Sequence, residues 1–266
     1  MELAIISDEI SNDFEHSLKV IRELGATLVE VRNLWGKSVV DLSQSQLEEL
    51  RRLVKAYGLR LSNVDSAAFK TYLRDEESIE NHLRMLQRAV EISRYLDLTF
   101  TRIFTFWWEG SLAKAMPSIV GALQRAAEIA SAQGVTLAIE NEYSTYTGTG
   151  EETARIVKQL RSPWVKVLWD PGNAFFAREE PYPEGYAQVR DNVIHVHLKD
   201  AKVIDGEFRW MPIGSGDIDF KGQLRELKTL NITASLETHY APSGDKERGT
   251  RESFAGLLKT ISALEG

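Results

Sequence analysis

The chain has 266 residues, is 43% hydrophobic and 27% charged, and carries a formal net charge of −7. That balance describes a globular protein with material for one large core, and its acidity speaks against nucleic acid, whose phosphates need a basic face. Cysteine is absent, which excludes disulfides and thiolate metal sites and leaves any metal to histidine and carboxylates.

The opening MELAIISDEIS offers an apolar run of only Leu3 to Ile6 before Asp8 and Glu9. That is too short for a signal peptide, and no stretch approaches the roughly 20 apolar residues of a membrane span. A cytoplasmic protein without a membrane partner is expected. Short β-branched runs then alternate with longer amphipathic stretches. In chain order the predicted strand–helix pairs are 3–6 with 14–24, 27–31 with 44–57, 60–64 with 78–96, 99–105 with 113–133, 136–140 with 151–160, 165–169 with 185–190, 193–198 with 220–230, and 232–237 with 250–264. Gly25, Gly58 and Gly134 stand just before strands, as helix stops do. Strand–helix pairs repeated through a chain of this length predict one α/β domain over residues 1–266, a closed (β/α)8 TIM barrel. No GxGxxG follows the first strand, so the dinucleotide-binding fingerprint is missing. The longest irregular segment, 200–220, contains Asp205-Gly206, which predicts a hairpin between 201–204 and 207–211.

Barrels of this kind build their sites at the C-terminal strand ends. Those ends carry Ser7-Asp8-Glu9, Glu30 and Arg32, Asp65-Ser66, Arg102, Glu140-Asn141-Glu142, Asp170, His195-Val196-His197 with Lys199-Asp200, and Glu237-Thr238-His239. Glu140, Asp170 and Glu237 follow the apolar runs VTLAI, VKVLW and ITASL. A carboxylate at such a tip is solvated, paired or metal-bound, because burying it alone is costly. Any one of them reads equally well as a solvated loop acid; all of them with a histidine favour a shared cation. His195 and His197 alternate, so they face the same side, one as a ligand and the other as its support or a substrate contact. His197, nearer the strand end, is the expected ligand. Carboxylates with one imidazole suit a single divalent cation, Mn²⁺, Mg²⁺ or Co²⁺ ahead of Zn²⁺.

Other residues keep two readings open. Lys199 either orients a substrate oxygen or pairs with Asp200 or a neighbouring strand's acid. Glu142 holds substrate, supports a ligand or caps a loop. Arg102 meets a carboxylate or phosphate, or pairs with Glu30 or Glu142. Gly214-Ser215-Gly216 and Gly148-Thr149-Gly150 have the composition of phosphate-cradling loops, though Thr149 also suits a helix cap. Trp35, Phe69, Trp107 and Trp108 lie past strand ends, where aromatics roof a sugar pocket or pack between helices. His16 and His82 are expected to face solvent.

Glu140-Asn141-Glu142, Asp170-Pro171-Gly172-Asn173, the stretch from His195 to Asp200, Gly214-Ser215-Gly216-Asp217 and Leu236-Glu237 together resemble the ordered motifs of the xylose-isomerase-like barrels. That superfamily holds ketose 3-epimerases, hydroxypyruvate isomerase, inosose dehydratase and apurinic endonucleases. The resemblance implies metal ligation by Glu140, Asp170, His197 and Glu237. It also makes Glu140 and Glu237 an acid–base pair working through a metal-stabilised enediolate. Glu142, Asn173, His195, Lys199 and Arg102 are then expected around a sugar; members of the superfamily often pair through helices, so a homo-oligomer stays open while the sequence itself does not set the oligomeric state. Asn173 stands where many ketose epimerases have histidine, which is closer to the pentulose-phosphate 3-epimerases. Phe208-Arg209-Trp210-Met211 lacks the extra ligands of the three-zinc endonucleases. The implied activity is a metal-dependent isomerase or epimerase of a small ketose or ketose phosphate; dehydration of a cyclic polyol ketone and a non-catalytic sugar-binding barrel are the alternatives.

Overall fold

A computed structural model describes residues 1–74 and 76–264. The barrel strands are β1 (Glu2–Ile6), β2 (Leu28–Val31), β3 (Arg60–Asp65), β4 (Phe100–Ile103), β5 (Thr136–Glu140), β6 (Val165–Trp169), β7 (Val193–Leu198) and β8 (Thr233–Leu236). They pair in parallel in sequence order, and β8 closes the ring on β1. Around them lie α1 (Phe14–Leu24), α2 (Gln44–Ala56), α3 (Glu76–Tyr95), α4 (Leu112–Gln133), α5 (Gly150–Leu160), α6 (Pro171–Phe176), α7 (Tyr186–Val189), α8 (Phe220–Leu227) and α9 (Lys246–Ser262). Among the described residues no helix is long and apolar enough to cross a membrane.

The helix starts follow from local chemistry. Ser43 with Gln46, and Thr149 with Glu152, form reciprocal capping boxes, while Asp13, Asp219 and Asp245 each accept a backbone N–H of the first turn. Gly25 and Gly134 end α1 and α4 at φ of 85° and 66°, the left-handed region where a side chain is disfavoured.

Several expected boundaries move. The strand expected over 99–105 shortens to β4. α9 begins at Lys246 rather than at Thr250, because Asp245 caps it. The helix expected over 185–190 is a π-turn at Pro181–Gly185, then α7, then a 3-10 turn at Arg190–Asn192. α6 was not expected at all. The hairpin stands where Asp205-Gly206 put it, Asp200–Ile204 against Glu207–Met211, and a second short ribbon joins Asn33–Leu34 to Lys37–Ser38.

Strand parity sorts the core. Val29 and Val31 on β2, Leu137 and Ile139 on β5, Val167 and Trp169 on β6, Val196 and Leu198 on β7, and Ala234 and Leu236 on β8 all pack outward, into the large apolar clusters under the helices. The lumen holds a much smaller apolar group, Phe100, Ala138 and Leu168. Because side chains alternate, Glu30, Glu140, Asp170, His195, His197 and Glu237 take the inward parity, and all are buried. This barrel therefore has a polar upper interior, and that interior holds the site.

Candidate functional site

The inward strand ends bring Glu140, Asp170, His197 and Glu237 together, with one donor atom from each within 4.8 Å of the others. His197 Nδ1 lies 3.0 Å from Glu237 Oε2, 3.3 Å from Glu140 Oε1 and 4.0 Å from Asp170 Oδ2. Metal–ligand bonds of about 2.0–2.2 Å put adjacent ligands about 3 Å apart and opposed ones about 4 Å apart, so these spacings fit a common divalent cation.

Each of these side chains is held from behind. The other ring nitrogen of His197, Nε2, lies 2.8 Å from Glu30 Oε1, which leaves Nδ1 for the cluster. Glu30 Oε2 takes His195 Nε2 at 2.9 Å and the Ser235 hydroxyl. Asp170 caps α6: its Oδ1 accepts the Asn173 N–H at 2.8 Å, while Asn141 bonds its backbone on both sides, at 2.7 and 2.8 Å. Pro171 at the first helical position suits that turn.

Glu140 and Glu237 are clamped alike. Glu140 Oε2 receives Arg102 Nη1 at 3.0 Å, while its Oε1 receives Asn173 Nδ2 at 3.2 Å. Glu237 Oε1 receives Arg32 Nη1 at 2.5 Å, while its Oε2 receives Lys199 Nζ at 2.8 Å. Lys199 also lies 2.8 Å from Asp170 Oδ2. Arg32 reaches Asp8 at 3.2 Å and Glu9 at 2.9 Å, and Arg102 reaches Asp65 at 3.3 Å.

Burial pushes every carboxyl here upward, and the neighbours decide the outcome. At Glu140, burial is outweighed by Arg102 and His197, and the carboxyl falls to about 2. At Glu237, Lys199, His239 and His197 overcome burial and hold it well below the usual range. At Asp170 burial prevails over Lys199, with Glu140 and Glu237 adding to it, and the carboxyl rises to about 7. His197 goes the other way: burial opposes its charge, but Glu30, Glu140 and Glu237 raise it well above the ordinary histidine value. Negative charge is packed here beyond what the local side chains balance, which suits a cation.

Above the cluster opens a pocket of about 260 Å³, whose wall includes Arg32, Asp65, Lys70, Arg102, Phe104, Glu140, Glu142, Lys199, Glu237 and His239. Another cavity, about 350 Å³, lies at the opposite mouth beside Thr99, Thr136 and Thr233, far from the carboxylates.

Of the residues expected around a substrate, Glu142, Lys199 and Arg102 line the pocket. His195 does not: both its ring nitrogens are taken, by Glu30 and by Thr233 Oγ1 at 2.6 Å, one layer below. Asn173 does not either, since its amide is spent on Glu140 and the Asn141 carbonyl at 2.9 Å. Arg102 pairs with Glu140 and Asp65, not with Glu30 or Glu142. Lys199 pairs with the neighbouring acids, not with Asp200. His82 is only partly exposed: its Nδ1 accepts the Phe69 N–H at 2.9 Å and its ring stacks on Phe69, so one side of it belongs to the packing. Glu30, Arg32 and Asp65 appeared among the strand ends without a role of their own. The signal for Glu30 was its place: a carboxylate inside Leu28-Val29-Glu30-Val31 needs partners, and Arg32, just past the end of β2, carries the nearest cation in sequence.

A closed parallel barrel with a carboxylate–histidine cluster inside its C-terminal mouth defines a TIM barrel with a candidate metal site. More narrowly, the chain belongs to the xylose isomerase-like TIM barrel family, whose model matches residues 18–260. SgbU of Escherichia coli (strain K12), named as a candidate L-ribulose-5-phosphate 3-epimerase, is 25% identical over 208 residues, which cover 75% of this chain and 72% of that one. The crystal structure of a D-tagatose 3-epimerase-like protein superposes with a TM-score of 0.80 at 20% identity, over 100% of this chain and 98% of that one. That of an IOLI protein with a bound zinc atom gives 0.78 at 17% identity, over 99% of each. The last two share the fold.

Proposed function

We propose that this chain is a divalent-metal-dependent epimerase or isomerase of a small ketose. Glu140, Asp170, His197 and Glu237 hold the cation, and Glu140 and Glu237 transfer protons. The names of the relatives, sugar epimerases, support the reaction class. The observation that carries the reading is the matched clamp on the two glutamates. Each has one oxygen on a guanidinium and the other turned into the cluster beside His197.

The bound cation would supply Lewis-acid polarisation of the ketose oxygens, acidifying the C–H beside the carbonyl. The chain's residues do the rest. Glu140 and Glu237 descend from β5 and β8, on different sides of the ring, so one removes a proton from one face of the carbon and the other returns one to the opposite face. Arg102 and Arg32 keep the two carboxylates ionised and aimed. Lys199, between Glu237 and Asp170, offers a buried ammonium to the substrate oxygen that gains charge. The oxygen-rich donor set suits Mn²⁺, Mg²⁺ or Co²⁺; zinc in the IOLI structure belongs to that protein.

Incubation with ketoses in deuterium oxide, followed by NMR, tests this. Deuterium should enter at the carbon next to the carbonyl without loss of water. Glu140→Gln and Glu237→Gln should each lower the rate by about 10²–10⁴-fold. Loss of water in place of exchange would assign a dehydratase instead.

A further inference from the structure

Resting on that ketose chemistry, we infer that the pocket is built for an uncharged keto sugar and discriminates against sugar phosphates. A phosphate dianion is bound by guanidinium or ammonium groups free to face it, or by a nest of backbone N–H groups. Among the described residues that line the pocket, every arginine and lysine already faces a carboxylate. Arg32 is held by Asp8, Glu9 and Glu237, Arg102 by Asp65 and Glu140, Lys199 by Asp170 and Glu237, and Lys70 by Glu142 at 2.9 Å. Arg32, Arg102 and Lys199 position the proton-transfer glutamates, so turning any of them toward a phosphate would dismantle the clamp.

The two glycine loops offer no alternative, because the chain's own acids fill them. Gly214 N–H and Gly216 N–H both donate to Asp200 Oδ2, at 2.8 and 3.0 Å. The loop is closed so tightly on this carboxylate that a Cβ at Gly216 would stand 2.1 Å from Asp200 Oδ1. In the other loop, Thr149 N–H donates to Glu152 at 3.1 Å and Gly150 N–H to Glu179 at 2.7 Å. Neither loop borders the pocket.

What the pocket does present suits neutral sugar. Phe104 and the amide and hydroxyl of Asn33 and Ser38 line it. Behind two of the lining groups, and not itself on the wall, the Trp210 ring lies 5.2 Å from Lys199 Nζ and 5.4 Å from the His239 ring, stacked on Phe176 at 4.0 Å. Aromatic faces take the C–H face of a sugar, and the short polar groups take its hydroxyls. An added phosphate would meet Asp65, Glu140, Glu142 and Glu237, while each lining arginine and lysine is already engaged by a carboxylate.

Calorimetric titration of the Mn²⁺-loaded protein with matched pairs, L-ribulose and its 5-phosphate, D-tagatose and its 6-phosphate, tests this, with deuterium exchange followed on the same samples. One free sugar should bind on the order of 100-fold more tightly than its phosphate. In Glu142→Gln, which takes from Lys70 its carboxylate, that gap should narrow about tenfold. Equal or tighter binding of the phosphates, binding of neither form, or a gap unmoved in Glu142→Gln overturns the inference. Preferred binding of a free sugar without deuterium entry upholds it and counts against the epimerase reading alone, so the two fail separately.

Discussion

His197 uses its two ring nitrogens differently, and Glu30 makes the division. With Nε2 on Glu30, Nδ1 is the atom that faces Glu140, Asp170 and Glu237. The same carboxylate also holds His195 and Ser235, so it orients the whole layer beneath the cluster. Outer partners of this kind tune a ligand's basicity and aim. Glu30→Gln keeps the shape of the side chain but removes the carboxylate acceptor. It should weaken divalent-metal affinity by about 10–100-fold, read by competition with a chelating dye, while circular dichroism stays native. An affinity equal to wild type would reduce Glu30 to packing. At this scale the residues that end apolar strands were legible in the sequence, because a buried carboxylate needs a partner. The partners were not: Glu30 and His197 are 167 positions apart, and no local pattern links them.

β6 hands its terminal carboxylate straight to a helix. Asp170 is both the expected ligand and the cap of α6, so helix formation fixes one oxygen and leaves the other for the cluster. Gly172 lets this turn close on the next strand: a Cβ there would stand 2.7 Å from the Lys199 carbonyl and 2.9 Å from Trp210. Gly172→Ala should therefore cost about 1–3 kcal/mol in a urea titration, from overpacking against backbone, and should also lower activity by displacing Lys199. A variant as stable as wild type would mean that the turn has room to spare. Helical periodicity could not announce α6, whose 6 residues are fewer than two turns. Its signal was the Asp-Pro start instead. α9 likewise starts early because a capping aspartate, Asp245, outweighs the weak periodicity at Lys246.

Across the whole molecule, the strand ends press Glu30, Asp65, Glu140, Asp170 and Glu237 into one mouth, and the closed ring cannot relieve their repulsion by spreading. Cation binding should then be worth stability, because only the folded ring assembles the four candidate ligands. Mn²⁺ at about 100 times its dissociation constant should raise the melting temperature by about 5–10 °C, measured by differential scanning calorimetry. A chelator should reverse the rise, and Asp170→Asn should abolish it. An unchanged melting temperature would reject the site.

The sequence by itself determined the alternation of strands and helices, and hence the barrel. It determined as well which face of each strand carries a carboxylate or imidazole, because parity and capping are local and repeat every two or four residues. Ring closure decided the rest. It set which inward side chains meet across the lumen, sank His195 and Asn173 beneath the pocket, paired each lining arginine and lysine with an acid, and folded two glycine loops onto the chain's own carboxylates. Those are distances between residues far apart in sequence, and only a closed structure sets them.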